Sequence, residues 1–139
     1  MPAKRRDVRE SALILTFEKL LRDDSLEEIF ETASEAESVI VNNEVKALVC
    51  GIIEKSDEID EIISKYSDKR AVERIPKINL AVLRLAIYEA IYDEKVPVNV
   101  AISEAVYLVG KYALDSDVSF VNGVLGSYSR SEGAPQNNE

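Results

Sequence analysis

Apolar residues recur every three or four positions along most of this 139-residue chain and nowhere alternate strictly in twos. The first stretch carries Val8, Ala12, Leu13, Leu15, Phe17, Leu20 and Leu21, the spacing of an amphipathic helix. Asp23, Asp24 and Ser25 interrupt it, and Ser25 with Glu28 makes a capping box for a short second helix. Asn42 or Asn43 can cap a third helix through Val45, Leu48, Val49, Ile52 and Ile53. That pattern continues in Ile59, Ile62, Ile63 and Tyr66, with a bend expected near Ser56 and Asp57. Pro76 breaks the next stretch. After it, Asn79 can cap LAVLRLAIYEAIY, which is apolar around most of its circumference and is expected to be the central, most buried helix. A turn at 94–97 leads into NVAISEAVYLVGKYA, and Ser116 or Asp117 can cap the last helix, VSFVNGVLGSYS. The predicted fold is all-α, with residues 1–130 as one domain. Residues 131–139, SEGAPQNNE, are expected to form a disordered tail.

Composition narrows the class. The chain is 46% hydrophobic and 31% charged, values of a soluble globular protein. No apolar run approaches the roughly 20 residues that span a bilayer, and the basic N-terminus lacks the apolar segment of a signal peptide. A cytoplasmic protein without membrane contact is expected. There is no histidine, which removes Ser-His-Asp and Cys-His catalysis and histidine-bearing zinc sites. Five scattered glycines form no phosphate-binding loop. No catalytic site, metal or cofactor is expected. The lone Cys50 lies in ALVCGII and reads as a small core residue. Gly123 and Gly126 sit inside the last helix, where each costs about 1 kcal/mol relative to alanine. Close helix packing is the favoured reason for them, and close approach of a ligand the other.

Charge changes the picture. The formal net charge is -9, yet residues 1–22 hold six basic against three acidic residues, net +3. Residues 23–68 hold three against 14, net -11, and residues 69–139 hold eight against nine, net -1. A basic end on an acidic body points to an anionic partner. Arg5, Arg6 and Arg9 can share a helix face, with Lys4 beside them.

Four blocks, in order, resemble the NusB family of transcription antitermination factors: RRxxRExA from Arg5 to Ala12, AVLRLAIYE at Ala81–Glu89, VPVNVAISEAVYLVGKY at Val96–Tyr112 and FVNGVLG at Phe120–Gly126. The resemblance covers residues 4–130 and implies about seven helices in two small helical bundles. It implies binding of boxA RNA together with NusE, a small-subunit ribosomal protein, in an antitermination assembly on RNA polymerase, notably on ribosomal RNA operons. Some relatives are monomers and others homodimers that cover the RNA face. The stand-alone factor is expected, because the chain ends at Glu139, before the methyltransferase domain that follows NusB-like domains in some ribosomal RNA cytosine methyltransferases. The alternative is a NusB-like module that docks a ribosomal protein or itself without strong RNA binding.

The resemblance places Lys4, Arg5, Arg6 and Arg9 against RNA, and guanidinium groups suit phosphates because they bind them bidentately and stay charged. Sequence choice needs base contacts as well. Phe17 stands where many relatives carry an RNA-proximal tyrosine, and fits the apolar core equally well. Phe120 is a second stacking candidate, Asn122 could read a base edge, and both also suit a buried helix start. Asn79 stands where some relatives carry an acidic residue near RNA. Ser119 replaces a lysine or arginine of many relatives, and Ser103 an asparagine. Arg84, inside an apolar helix, needs a carboxylate partner, for which Glu104 or Glu89 is expected.

Overall fold

The computed structural model describes residues 4–68 and 70–131. Among them are seven α-helices, one short 3-10 turn and no strand. The all-α expectation holds. The chain divides into two units, one up to Glu54 and one from Lys55. Of the expected tail, Ser131 forms a bend after the last helix and residues 132–139 lie outside the described residues.

In the first unit α1 (Arg5–Leu21) packs on α2 (Leu26–Ser34) and α3 (Asn43–Glu54). The buried arc of α1 carries Val8, Ala12, Leu13 and Leu15, which meet the same core as Ile29, Val45, Val49 and Ile52. Helix starts follow local chemistry. The Glu28 N–H donates to Ser25 Oγ at 3.2 Å, and the Val45 N–H to Asn42 Oδ1 at 2.8 Å, each satisfying a donor that the first turn leaves open. Ser11, though buried, accepts from the Ile40 N–H at 3.0 Å and so fastens the α2–α3 connection to α1. Buried Thr16 donates back to the Ala12 carbonyl at 2.9 Å. Cys50 corrects its expectation: it is exposed. Val45, Leu48, Val49 and Ile52 occupy the inward face of α3, and the 100° step per residue turns position 50 away from them.

In the second unit, helix structure restarts at Ser56 where a bend was expected, giving α4 (Ser56–Tyr66). After a 3-10 turn at Val72–Arg74 come α5 (Lys77–Tyr92), α6 (Val98–Tyr112) and α7 (Asp115–Ser129). α5 packs on α4, α6 and α7, and α7 also on α4 and α6. Ten of its 16 residues are buried, so it is the central helix. Each fully buried leucine or isoleucine, such as Leu83, Leu85 and Ile87, contributes about 1.5–3 kcal/mol.

Three expectations change here. α5 begins at Lys77, directly after Pro76, rather than at an Asn79 cap; the Pro76 carbonyl accepts the first helical bond, from the Leu80 N–H at 2.9 Å, because proline's fixed φ suits a helix start. Arg84 pairs with Asp60 of α4, not with Glu104 or Glu89. Its Nε donates to Oδ1 at 2.8 Å and its Nη2 to Oδ2 at 2.6 Å. The glycines of α7 are not packing sites. A Cβ built at Gly123 meets nothing within 4 Å, and the nearest atoms to one at Gly126 belong to the flexible Arg130 guanidinium, the first at 3.2 Å. α4 ends through Ser67 into Asp68, whose φ of 52° is the left-handed position usually held by glycine. No helix among the described residues is long and apolar enough to cross a membrane.

Two substitutions test this packing. Asp60→Ala leaves the Arg84 guanidinium partly buried without its bidentate acceptor and should cost about 2–3 kcal/mol in urea unfolding. Gly123→Ala adds a methyl group into open space and removes a helix-interior glycine, so it should stabilise by up to about 1 kcal/mol. A destabilised Gly123→Ala would show that α7 packs more tightly there than its geometry states.

Candidate nucleic-acid interface

The basic start of α1 is built by local rules. Lys4 is the N-cap residue, and no side chain caps the helix behind it. The positive end of the helix dipole at this turn favours negative charge. Lys4 and Arg6 are exposed and Arg5 half-buried. Arg5 Nη1 lies 3.0 Å from Glu44 Oε2 on α3. Such surface pairs hold about 0–1 kcal/mol.

Arg9 departs from the expected open face. It is 4% exposed, because it follows Arg5 by four residues and falls on the arc that carries Ala12, Leu13 and Thr16 inward. In this conformation its side chain is turned away from solvent. Phe17 is half-buried. It shares a stripe of α1 with Arg6, Glu10 and Leu13, about 16 Å along the axis from Arg6. Its side chain is neither sealed in the core nor fully open to solvent.

The other three candidates belong to the second unit. Asn79 is 1% exposed. Its Nδ2 donates to Asp117 Oδ1 at 2.9 Å, while Asp117 Oδ2 accepts from the Leu114 N–H at 3.0 Å. Asn79 thus ties the start of α5 to the start of α7 and is not open to a ligand. These bonds, Asn79 first and the Leu114 N–H second, hold the Asp117 carboxyl below its ordinary range. Asn122 is exposed and Phe120 half-buried. Arg70, which sequence reasoning missed, lies over the Phe120 ring with its guanidinium carbon 4.6 Å from the centroid. The two are 50 residues apart, and no local pattern announces their meeting. Ser119 is exposed beside them on α7.

Comparison with known proteins follows the same lines. A family model described as the NusB family matches residues 6–130. Transcription antitermination protein NusB of Bacillus subtilis (strain 168) is 39% identical over 124 residues, which cover 89% of this chain and 93% of that protein. Its counterpart from Clostridium botulinum (strain Alaska E43 / Type E3) is 40% identical over 122 residues, covering 84% and 91%. Among solved structures, T. maritima NusB superposes with a TM-score of 0.84 at 31% identity, over 97% of this chain and 96% of that one. A crystal structure of antitermination factors NusB and NusE in complex with dsRNA gives 0.77 at 28% identity, over 88% and 93%.

The Asn79–Asp117 clasp has a pH signature. A carboxyl held below its unfolded value adds stability above about pH 4 and loses it as pH falls through the folded value. Wild type should therefore be more stable than Asp117→Asn at pH 6, with the gap narrowing as pH falls below about 4. Thermal midpoints across that range read the effect, and a gap that stays constant into acid would rule out the ionised clasp.

Proposed function

This chain belongs to the NusB family, and on that footing we propose that it acts in transcription antitermination by binding boxA RNA through the basic turn that opens α1. The observation that carries the proposal is the local charge there. In a chain of net charge -9, Lys4 and Arg6 stand exposed and Arg5 half-exposed at an uncapped helix start. Phosphates of an unpaired strand would lie along this turn, with Phe17 offering a ring edge to an unstacked base. Phe120 and Asn122 are the proposed base contacts of the second unit. Arg9 is turned away from solvent, and Asn79 holds the start of α7.

The proposed partners are boxA RNA, NusE and, through them, the antitermination complex on RNA polymerase. The work is done in the cytoplasm, by binding, with no catalytic step and no cofactor. A homodimer that hides the basic turn would be a storage state with which RNA competes. The strongly acidic segment at 23–68 repels RNA at short range and confines contact to the basic edge. A second reading, a docking module that captures NusE with little RNA affinity, draws support from the Arg5–Glu44 pair and the burial of Arg9.

A short boxA RNA and a scrambled control, titrated with and without NusE at two salt concentrations, separate the two readings. RNA binding that prefers boxA, strengthens with NusE and weakens with salt supports antitermination through RNA. Arg5→Gln with Arg6→Gln should then lower affinity about tenfold or more and reduce the salt slope by about 2, with unfolding unchanged. NusE capture without RNA binding would leave the docking module.

A further inference from the structure

The outer face of α6 carries apolar side chains that the fold does not cover. α6 packs on α5 and α7 and buries Val98, Ala101, Ala105, Leu108 and Val109. On its other side Val100 and Tyr107 are 41% and 44% exposed, and Leu114, just past the helix end, is 72% exposed. Ser103 and Gly110 are exposed between them. The five positions follow one another at intervals of three, four, three and four residues, the seven-residue period of a seam between paired helices. Large side chains alternate with small ones along it. Gly110 is not required by the fold: its φ is not positive, and the nearest atom to a Cβ built there is Val118 Cγ2, at an ordinary 3.9 Å. Leu114 is held in place, because its N–H donates to Asp117 Oδ2 at 3.0 Å. All five belong to the second unit.

We propose that this face docks a second copy of the chain, with the two α6 helices antiparallel about a two-fold axis beside Tyr107. The stripe is self-complementary in that arrangement, which is what an isologous contact requires. The Tyr107 ring of each copy lies over Gly110 of the other, and Leu114 reaches Ser103 of the other, so a large side chain meets a small one in each layer. Glu104 and Lys111 stand on one flank of the stripe, one heptad apart. Running the second helix in reverse brings Glu104 of each copy opposite Lys111 of the other, two pairs of opposite charge. A parallel pair in register would set Tyr107 on Tyr107 and Gly110 on Gly110, crowding one layer and leaving the next open. Tyrosine suits the centre of such a contact, because its ring buries a large area while its hydroxyl keeps a polar partner. One helix pair lies at the low end of specific interfaces, roughly 1,000 Å² in total, so the dimer is weak and concentration-dependent. The face shares no residue with the RNA contacts proposed above. This dimer is therefore different from one that hides the basic turn, and the inference does not depend on RNA binding.

Sedimentation equilibrium of the full chain, from micromolar to millimolar concentration with reductant present, reads the association. Wild type should pass reversibly from monomer to dimer. Tyr107→Glu should weaken association about tenfold or more. Gly110→Ala places a methyl group where the Tyr107 ring of the other copy would lie, and it replaces a helix glycine. Its thermal midpoint should equal or exceed that of wild type while association weakens about tenfold. Glu104→Lys should also weaken association, and Glu104→Lys with Lys111→Glu should restore it, which a purely structural role for either residue would not do. A wild type that stays monomeric at every concentration overturns the proposal, and so does a charge reversal that rescues nothing. A dimer that forms equally well in Tyr107→Glu and Gly110→Ala overturns it in favour of another face. A dimer that saturating boxA RNA dissociates overturns it in favour of a contact through the basic turn. Loss of NusE capture in Gly110→Ala, at a dilution where wild type is monomeric, overturns it in favour of NusE as the occupant of this face.

Discussion

A helix that is apolar on nearly every side must be covered on nearly every side, and α5 imposes that demand on the second unit. α4, α6 and α7 all pack on it. Its few polar side chains are placed by the same demand. Arg84 cannot reach bulk water freely, and the carboxylate it needs comes from Asp60 on α4. Asn79, buried at the opening turn, takes Asp117 of α7 as its acceptor. Each polar contact therefore fixes one neighbour in rotation as well as in distance, which burial of smooth apolar surface alone does not do. The outer face of α7, with Phe120, Gly123 and Ser127, owes its aim to these constraints.

The first unit solves a different problem with one helix. α1 must seal a core through Val8, Leu13 and Leu15 and also present cations at its opening turn. The two tasks meet at Arg5 and Arg9, one turn apart. Arg5 stays near the surface, held by Glu44, while Arg9 goes under. A cation just inside the sealed arc loses its freedom to follow a ligand. The charge that faces outward is smaller than a count of arginines suggests, and it is better positioned.

What could be read in advance follows the range of the interactions. Ser25 and Asn42 act on N–H groups three residues away, so their caps were legible. The inward face of α3 and the burial of α5 followed from period alone. The misreadings share a cause. Cys50 lies in an apolar run, but composition does not say which way a residue faces. Asn79 has the chemistry of a cap, yet its partner is 38 positions away, and the proline before it had already started the helix. The sequence matches Arg84 to Glu104 or Glu89, and only packing reveals Asp60, 24 positions away, as its partner. Gly123 suggested contact with a neighbouring helix, where the fold leaves a gap. Arg70 carried no signal, because its role depends on a loop folding back over Phe120. The basic start of α1 was visible as charge, while the burial of Arg9 was not.

Cys50 has a practical consequence. As the chain's single thiol, exposed on α3, it is a natural attachment point for one fluorophore or spin label, needing no engineered background. A reporter there sits in the same unit as the basic turn of α1 but on a different helix, and can register RNA arrival without occupying the proposed contact. The same exposure makes two chains joinable by air oxidation. A dimer observed without reductant can be a covalent artefact, so self-association of this protein has meaning only when measured with the thiol kept reduced or capped.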